Sequence, residues 1–182
     1  MAMLLLEKLL GAATEASRQA GKTEAKVFGE SIGLFLVDNP RWGGYDSTPL
    51  NSRGFASTGG DGVHFSFVEI DGEISDDSPI VMTVPMNFNN TNLIVGDTLT
   101  EFLALGCRFG YFRLEQLVYQ RAKTVAKIES AVDYQCDDYY EGLDRLALNA
   151  LTTTFRLQLW TNIESRLKEL ESSYYPLLKF NE

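Results

Sequence analysis

Val63-His64-Phe65-Ser66-Phe67-Val68-Glu69-Ile70, followed by Asp71-Gly72, decides the fold. The run is aromatic and β-branched and alternates imperfectly, which suits a strand on a pleated, half-buried surface. Asp-Gly then supplies a hairpin turn, because both central positions of a type I′ turn need φ > 0. A further strand is expected over 80–84 and another over 93–95, after the loop Asn89-Asn90-Thr91-Asn92. Upstream, 32–37 reads as a short strand. Four of the five prolines, Pro40, Pro49, Pro79 and Pro85, fall in this middle stretch and punctuate it with turns.

Helical periodicity lies on either side. Leu5, Leu6, Leu9, Leu10 and Ala13 recur at helical spacing, and Gly21 is placed to end that helix as a left-handed C′ residue. Thr98 and Glu101 can form a capping box, with Leu99, Phe102 and Leu103 facing inward. Leu114, Leu117, Val118, Val125 and Ile128 mark a second stripe, and Leu143, Leu146, Ala147 and Leu151 a third. Leu159, Ile163, Leu167 and Leu170 mark a fourth, with Pro176 beyond its end. Strands bunched together and then followed by helices point to the α+β class. The 182 residues are expected to form one domain, a core of about 1–111 with a helical C-terminal extension over 112–182.

The formal net charge is −9 and the pI about 4.7. A duplex nucleic-acid binder needs a basic surface to displace counterions from phosphates, so nucleic acid is not an expected partner. The densest basic segment, 113–127, is interleaved with apolar residues at helical spacing and reads as a solvated helix face. Cys107 and Cys136 belong to no CxxC pair and His64 is the single histidine, which leaves too few ligands for a Cys/His zinc site. No metal or other cofactor is expected. Glu7 and Lys8 interrupt the apolar start of the chain, which therefore reads as a helix and not as a signal peptide. No segment approaches the ~20 apolar residues of a membrane span. With two lone thiols, a cytoplasmic location is expected.

Several segments bear on chemistry. Ser57-Thr58-Gly59-Gly60-Asp61-Gly62 has the glycine content of a phosphate loop, but strand residues follow it where a P-loop places Lys and Ser or Thr at a helix mouth. It reads as a structural turn, with Gly59, Gly60, Asp61 and Gly62 at its centre and His64 bonding to its backbone. As a catalytic base His64 would need a nucleophile and an orienting partner; Ser66 shares its strand face, and Asp61 is near in sequence. Asp71, Glu73, Asp76 and Asp77 cluster without EF-hand spacing, as an exposed acidic hairpin, and Asp137, Asp138 and Glu141 form a similar group. Arg41-Trp42-Gly43-Gly44-Tyr45-Asp46 combines arginine and aromatics with glycines, the composition of an interaction hot spot or of a loop that plugs a core.

The run from Phe55 to Val68 resembles the glycine-centred strand entry of the SUKH superfamily. The segment 78–88 is similar to that family's next strand, with its Pro-Met-amide-Phe turn, and 93–105 is similar to its closing strand and helix. The resemblance spans about 55–111. The N-terminal part and the helices after Tyr111 depart from the family pattern. It implies a central antiparallel sheet with flanking helices, and a protein that, like most bacterial members, binds and neutralises a toxin, often a nuclease, or that, like others, serves as a regulatory scaffold. It transfers no catalytic residues.

The expected function is a non-enzymatic, immunity-type protein-binding module with a basic protein partner. Arg41, Trp42, Tyr45, Asp71, Glu73, Asp76 and Asp77 are its candidate contacts. The alternatives are a small hydrolase or ligand-binding enzyme using His64 with nearby acids, and an interaction protein that self-associates through its C-terminal helices. Oligomeric state is not readable from the sequence.

Overall fold

The computed structural model describes residues 3–42, 44–89, 91–131 and 138–181. Gly43, Asn90, Cys136 and Asp137 thus lie outside the described residues. Five strands form one sheet in chain order: β1 (Phe35–Arg41), β2 (Ser52–Ser57), β3 (His64–Val68), β4 (Ile80–Thr83) and β5 (Asn92–Gly96). Every neighbouring pair is antiparallel. With the helices packed around it, this is the α+β architecture of the sequence reading.

The Asp71-Gly72 turn forms as its residues dictate. Asp71 has φ 54° and Gly72 φ 83°, and Ile70 and Glu73 exchange backbone hydrogen bonds of 3.0 and 3.1 Å. Two strand expectations need correction. β2 has no counterpart among the expected strands: Ser52-Arg53-Gly54-Phe55-Ala56-Ser57 does not alternate, because a bulge at Gly54–Ala56 shifts its register against β3. β1 starts at Phe35 and not at residue 32, and it runs through Pro40. Proline is tolerated there because β1 lies at the sheet edge and bulges away from β2. Leu36 pairs with Ala56 and Arg41 with Gly54, so five steps along β1 oppose two along β2.

Helix α1 (Leu4–Ala20) buries Leu6, Leu9, Ala13 and Ala16. It ends at Gly21, φ 63°, whose N–H donates to the Arg18 carbonyl while Lys22 N–H donates to Ser17. α2 (Leu99–Gly106) is capped by Thr98, whose hydroxyl accepts from the Glu101 amide at 3.2 Å. The reciprocal half of the capping box is displaced by one residue: the Glu101 carboxylate accepts from the Asp97 amide at 2.7 Å, not from Thr98.

The stripe expected to be one helix over 114–128 is broken. It divides into α3 (Gln116–Tyr119) and α4 (Arg121–Ser130) at Gln120, whose φ −142° and ψ 54° are not helical. Both pieces still turn Leu117, Val125 and Ile128 inward. α5 (Leu143–Phe155) follows expectation. α6 (Ile163–Tyr174) begins after Leu159, which lies ahead of it. Arg166 of α6 donates to Glu101 at 2.7 Å and to Asp97 at 2.9 Å, tying the C-terminal helices to the start of α2. Burial acts to raise the Glu101 carboxyl, but the hydrogen bonds from Arg166 and from the Asp97 amide together hold it below the usual range.

The sheet has two unlike faces. On one, Phe55, Phe65, Phe67, Met82 and Leu93 join a hydrophobic core with α1, α2 and α5. That core also takes in Leu114, Ile128, Leu151 and Leu167, so the helical extension shares its interior with the sheet. On the other face Val68, Val81 and Ile94 pack against Leu170 of α6 and Leu178 of the C-terminal tail. Asn51 pins that tail, donating to the Leu177 carbonyl at 3.0 Å and accepting from the Lys179 amide at 2.8 Å. Among the described residues, no helix is long and apolar enough to cross a membrane.

Candidate functional site: a cleft at the bulged edge of the sheet

At the opposite end of the second face the side chains become polar. The β-register places His64, Thr83 and Asn92 in one row across β3, β4 and β5. Thr83 donates to Asn92 Oδ1 at 2.8 Å, and Asn92 Nδ2 donates to the Ser47 carbonyl at 2.9 Å. His64 Nδ1 lies 2.7 Å from the Gly62 carbonyl, and Nε2 lies 3.1 Å from the Thr48 hydroxyl. A carbonyl only accepts, so Nδ1 donates and the neutral ring's Nε2 accepts from Thr48. Burial pushes the His64 pKa below its ordinary value, against the weaker opposing effect of the Gly62 bond.

These contacts fix the loop between β1 and β2 at two points, Ser47 and Thr48. Tyr45 then stacks on the His64 ring, with centroids 5.7 Å apart and planes 18° from parallel. The glycine turn fits between two aromatic rings. A Cβ on Gly59 would stand 2.4 Å from the Phe35 ring, and one on Gly62 would stand 2.7 Å from Tyr45; φ is positive at both. Glycine is therefore required at these positions for close approach and for conformation alike. His64 bonds to the backbone of this turn at Gly62.

Between this turn, the loop and the β1 bulge opens a cleft of about 370 Å³. Phe35 and Val37 of β1 line it with Ser57 of β2, and Arg41, Trp42 and Tyr45 line its loop side. Trp42 is 40% exposed and Tyr45 45%. The loop residues and the glycine turn, separate in the sequence, thus meet at one site.

The acidic residues do not join them. Asp71 and Glu73 are exposed on the turn that follows the far end of β3, a strand of five residues or roughly 15 Å. Asp77 is exposed nearby, while Asp76 accepts from the Leu5 amide at 3.0 Å and caps the start of α1. Asp76 thus holds a helix terminus and is not a free surface charge.

The catalytic arrangement weighed for His64 is not assembled. Its bonds go to Thr48 and Gly62, not to Asp61, and Ser66 is a strand neighbour whose buried hydroxyl has no partner among the described residues. The sequence reading missed Thr48. A hydroxyl donating to a histidine nitrogen has the layout of an activated nucleophile, but Thr48 is only 1% exposed and the ring's other nitrogen holds a backbone carbonyl. No family model, curated protein or solved structure matches the chain.

Proposed function

We propose that this chain is a non-enzymatic protein-binding module whose docking face is the rim of the cleft. The observation that carries the reading is the pair of exposed aromatics beside the cleft: Tyr45 stands on a segment anchored through Ser47 and Thr48, and Trp42 directly follows the end of β1. Large aromatics presented at low conformational cost are what an interface anchor needs, because little ordering entropy remains to be lost on binding. The commitment of both His64 nitrogens to the scaffold favours this reading over a hydrolase.

The partner is a basic protein. A net charge of −9 raises its rate of encounter, and Asp71, Glu73 and Asp77 act by steering from the far end of β3 and not by touching the anchors. The SUKH-like pattern of 55–111 makes an immunity-type partner, a toxin such as a basic nuclease, the specific form of this proposal.

The test is capture of the partner from the native host, followed by binding kinetics at two salt concentrations. Asp77→Lys should slow association, and so should added salt, since screening sets in beyond ~8–10 Å. Trp42→Ala should leave association unchanged and speed dissociation by about tenfold or more. A partner that is acidic, or binding indifferent to salt and to both substitutions, would overturn the proposal.

A further inference from the structure

We infer that the cleft itself is a small-molecule site, and that its ligand is a planar ring bearing an anionic group. This inference does not rest on a protein partner. Residues 37–40 have no Cα partner on β2, so the strand stands away from the sheet, and the gap it leaves is the cleft. Bulges are over-represented beside binding sites because they re-aim side chains. Here Arg41, which closes the bulge, lines the cleft together with Trp42.

Three features select the ligand. The first is size: about 370 Å³ falls within the range of small-molecule clefts and holds a one- or two-ring compound. The second is the lining, which brings the aromatic side chains of Phe35, Trp42 and Tyr45 together, the residue type on which a flat ring packs. The third is charge. Arg41 lines the cleft and makes no ion pair with a described carboxylate. A guanidinium in the lining of a cleft is a forked donor suited to a carboxylate or phosphate.

An extended peptide added to the edge of β1 fits less well. Pro40 offers no donor, and proline is one of the devices that blunts a sheet edge against pairing.

The full chain, labelled with ¹⁵N, is titrated with indole carboxylate, with a nucleoside monophosphate and with uncharged benzyl alcohol. Binding of either anionic probe should move the amides of Arg41, Trp42, Tyr45 and the glycine turn, together with the Trp42 indole N–H. The two anions distinguish a carboxylate from a phosphate ligand, and benzyl alcohol should bind at least about tenfold more weakly than the better of them. Arg41→Gln should weaken the better anion by about tenfold, the usual effect of losing one charge-assisted hydrogen bond, without changing benzyl alcohol binding. Trp42→Ala should weaken both kinds of probe. Both residues are exposed, so unchanged melting temperatures will show that the variants are folded. Shifts scattered over the surface, no anion binding at millimolar concentration, or an Arg41→Gln variant that binds the anion as wild type does would overturn the inference.

Discussion

One face of the sheet meets the helices through Phe55, Phe65 and Phe67; the other carries His64, Thr83 and Asn92 at one end and Val68, Val81 and Ile94 at the other. The first is held by shape. Phe102 of α2 lies 4.7 Å from Phe65, 5.8 Å from Phe55 and 5.2 Å from Tyr111, ring centre to ring centre. The polar end is held by hydrogen bonds that each fix a loop: Asn92 to Ser47, His64 to Thr48 and to Gly62. A dry face tolerates no solvent, so it specifies the fold and nothing else. A hydrogen-bonded face leaves room at its margin, and there the cleft lies.

The largest expected effect falls on the aromatic face. Phe102→Ala removes a ring buried among three others and leaves a cavity between α2 and the sheet. It should cost about 3–5 kcal/mol in urea unfolding. A loss below 1 kcal/mol would mean that the aromatic face repacks freely, and the contrast with the polar end would fail. Val125→Asp tests whether the broken α3–α4 segment belongs to the same core. Val125 is buried, so an unpaired aspartate there should cost about 3–5 kcal/mol. A silent substitution would put α4 outside it.

The polar end should respond less, and with a dependence on pH. His64→Ala removes two hydrogen bonds and leaves the Gly62 carbonyl without its donor, a cost of about 2 kcal/mol. The folded state lowers the His64 pKa through burial, so it disfavours the proton that the unfolded chain accepts near 6.5. Stability from this group is therefore complete above pH 6.5 and declines as the pH falls from there toward the depressed folded value. Urea midpoints measured on either side of pH 6.5 should show this slope in wild type and a smaller one in His64→Ala. Equal slopes would mean that the ring is not held neutral.

The aromatic face was far more legible in the sequence than the polar end. Phe65 and Phe67 alternate within one strand, and Leu99, Phe102 and Leu103 share one helical stripe, so local spacing was enough to place them. β2 was not readable because its pattern is interrupted by a bulge, and it is a strand only because β1 and β3 pair with it on both sides. The break at Gln120 carries no glycine or proline to announce it. At the site, the Arg41–Tyr45 loop and the glycine turn were each visible as segments. Their meeting depends on the bulged β1–β2 register, which no local pattern records. Thr48 pairs with His64 across sixteen residues, and nothing around it but a Thr-Pro turn sets it apart.

The smallest effect separates two adjacent acids that look equivalent in the sequence. Asp76 accepts from the Leu5 amide at the first turn of α1, where N–H groups lack helical partners and a negative charge is favoured. Asp77 is exposed beside it. Asp76→Lys removes the cap and puts a positive charge at the positive end of the helix, so it should cost about 1–2 kcal/mol. Asp77→Lys should change stability by less than about 0.5 kcal/mol. The pair separates a charge that holds the scaffold from one that only steers, because both substitutions change the net charge equally. If steering is a property of the whole field, both should slow association with a basic partner by a similar factor, and only Asp76→Lys should lower the melting temperature. Thermal unfolding of the two variants side by side decides it. Equal destabilisation would mean that α1 does not depend on the Asp76 cap, and a stability loss confined to Asp77→Lys would reverse the assignment of the two roles.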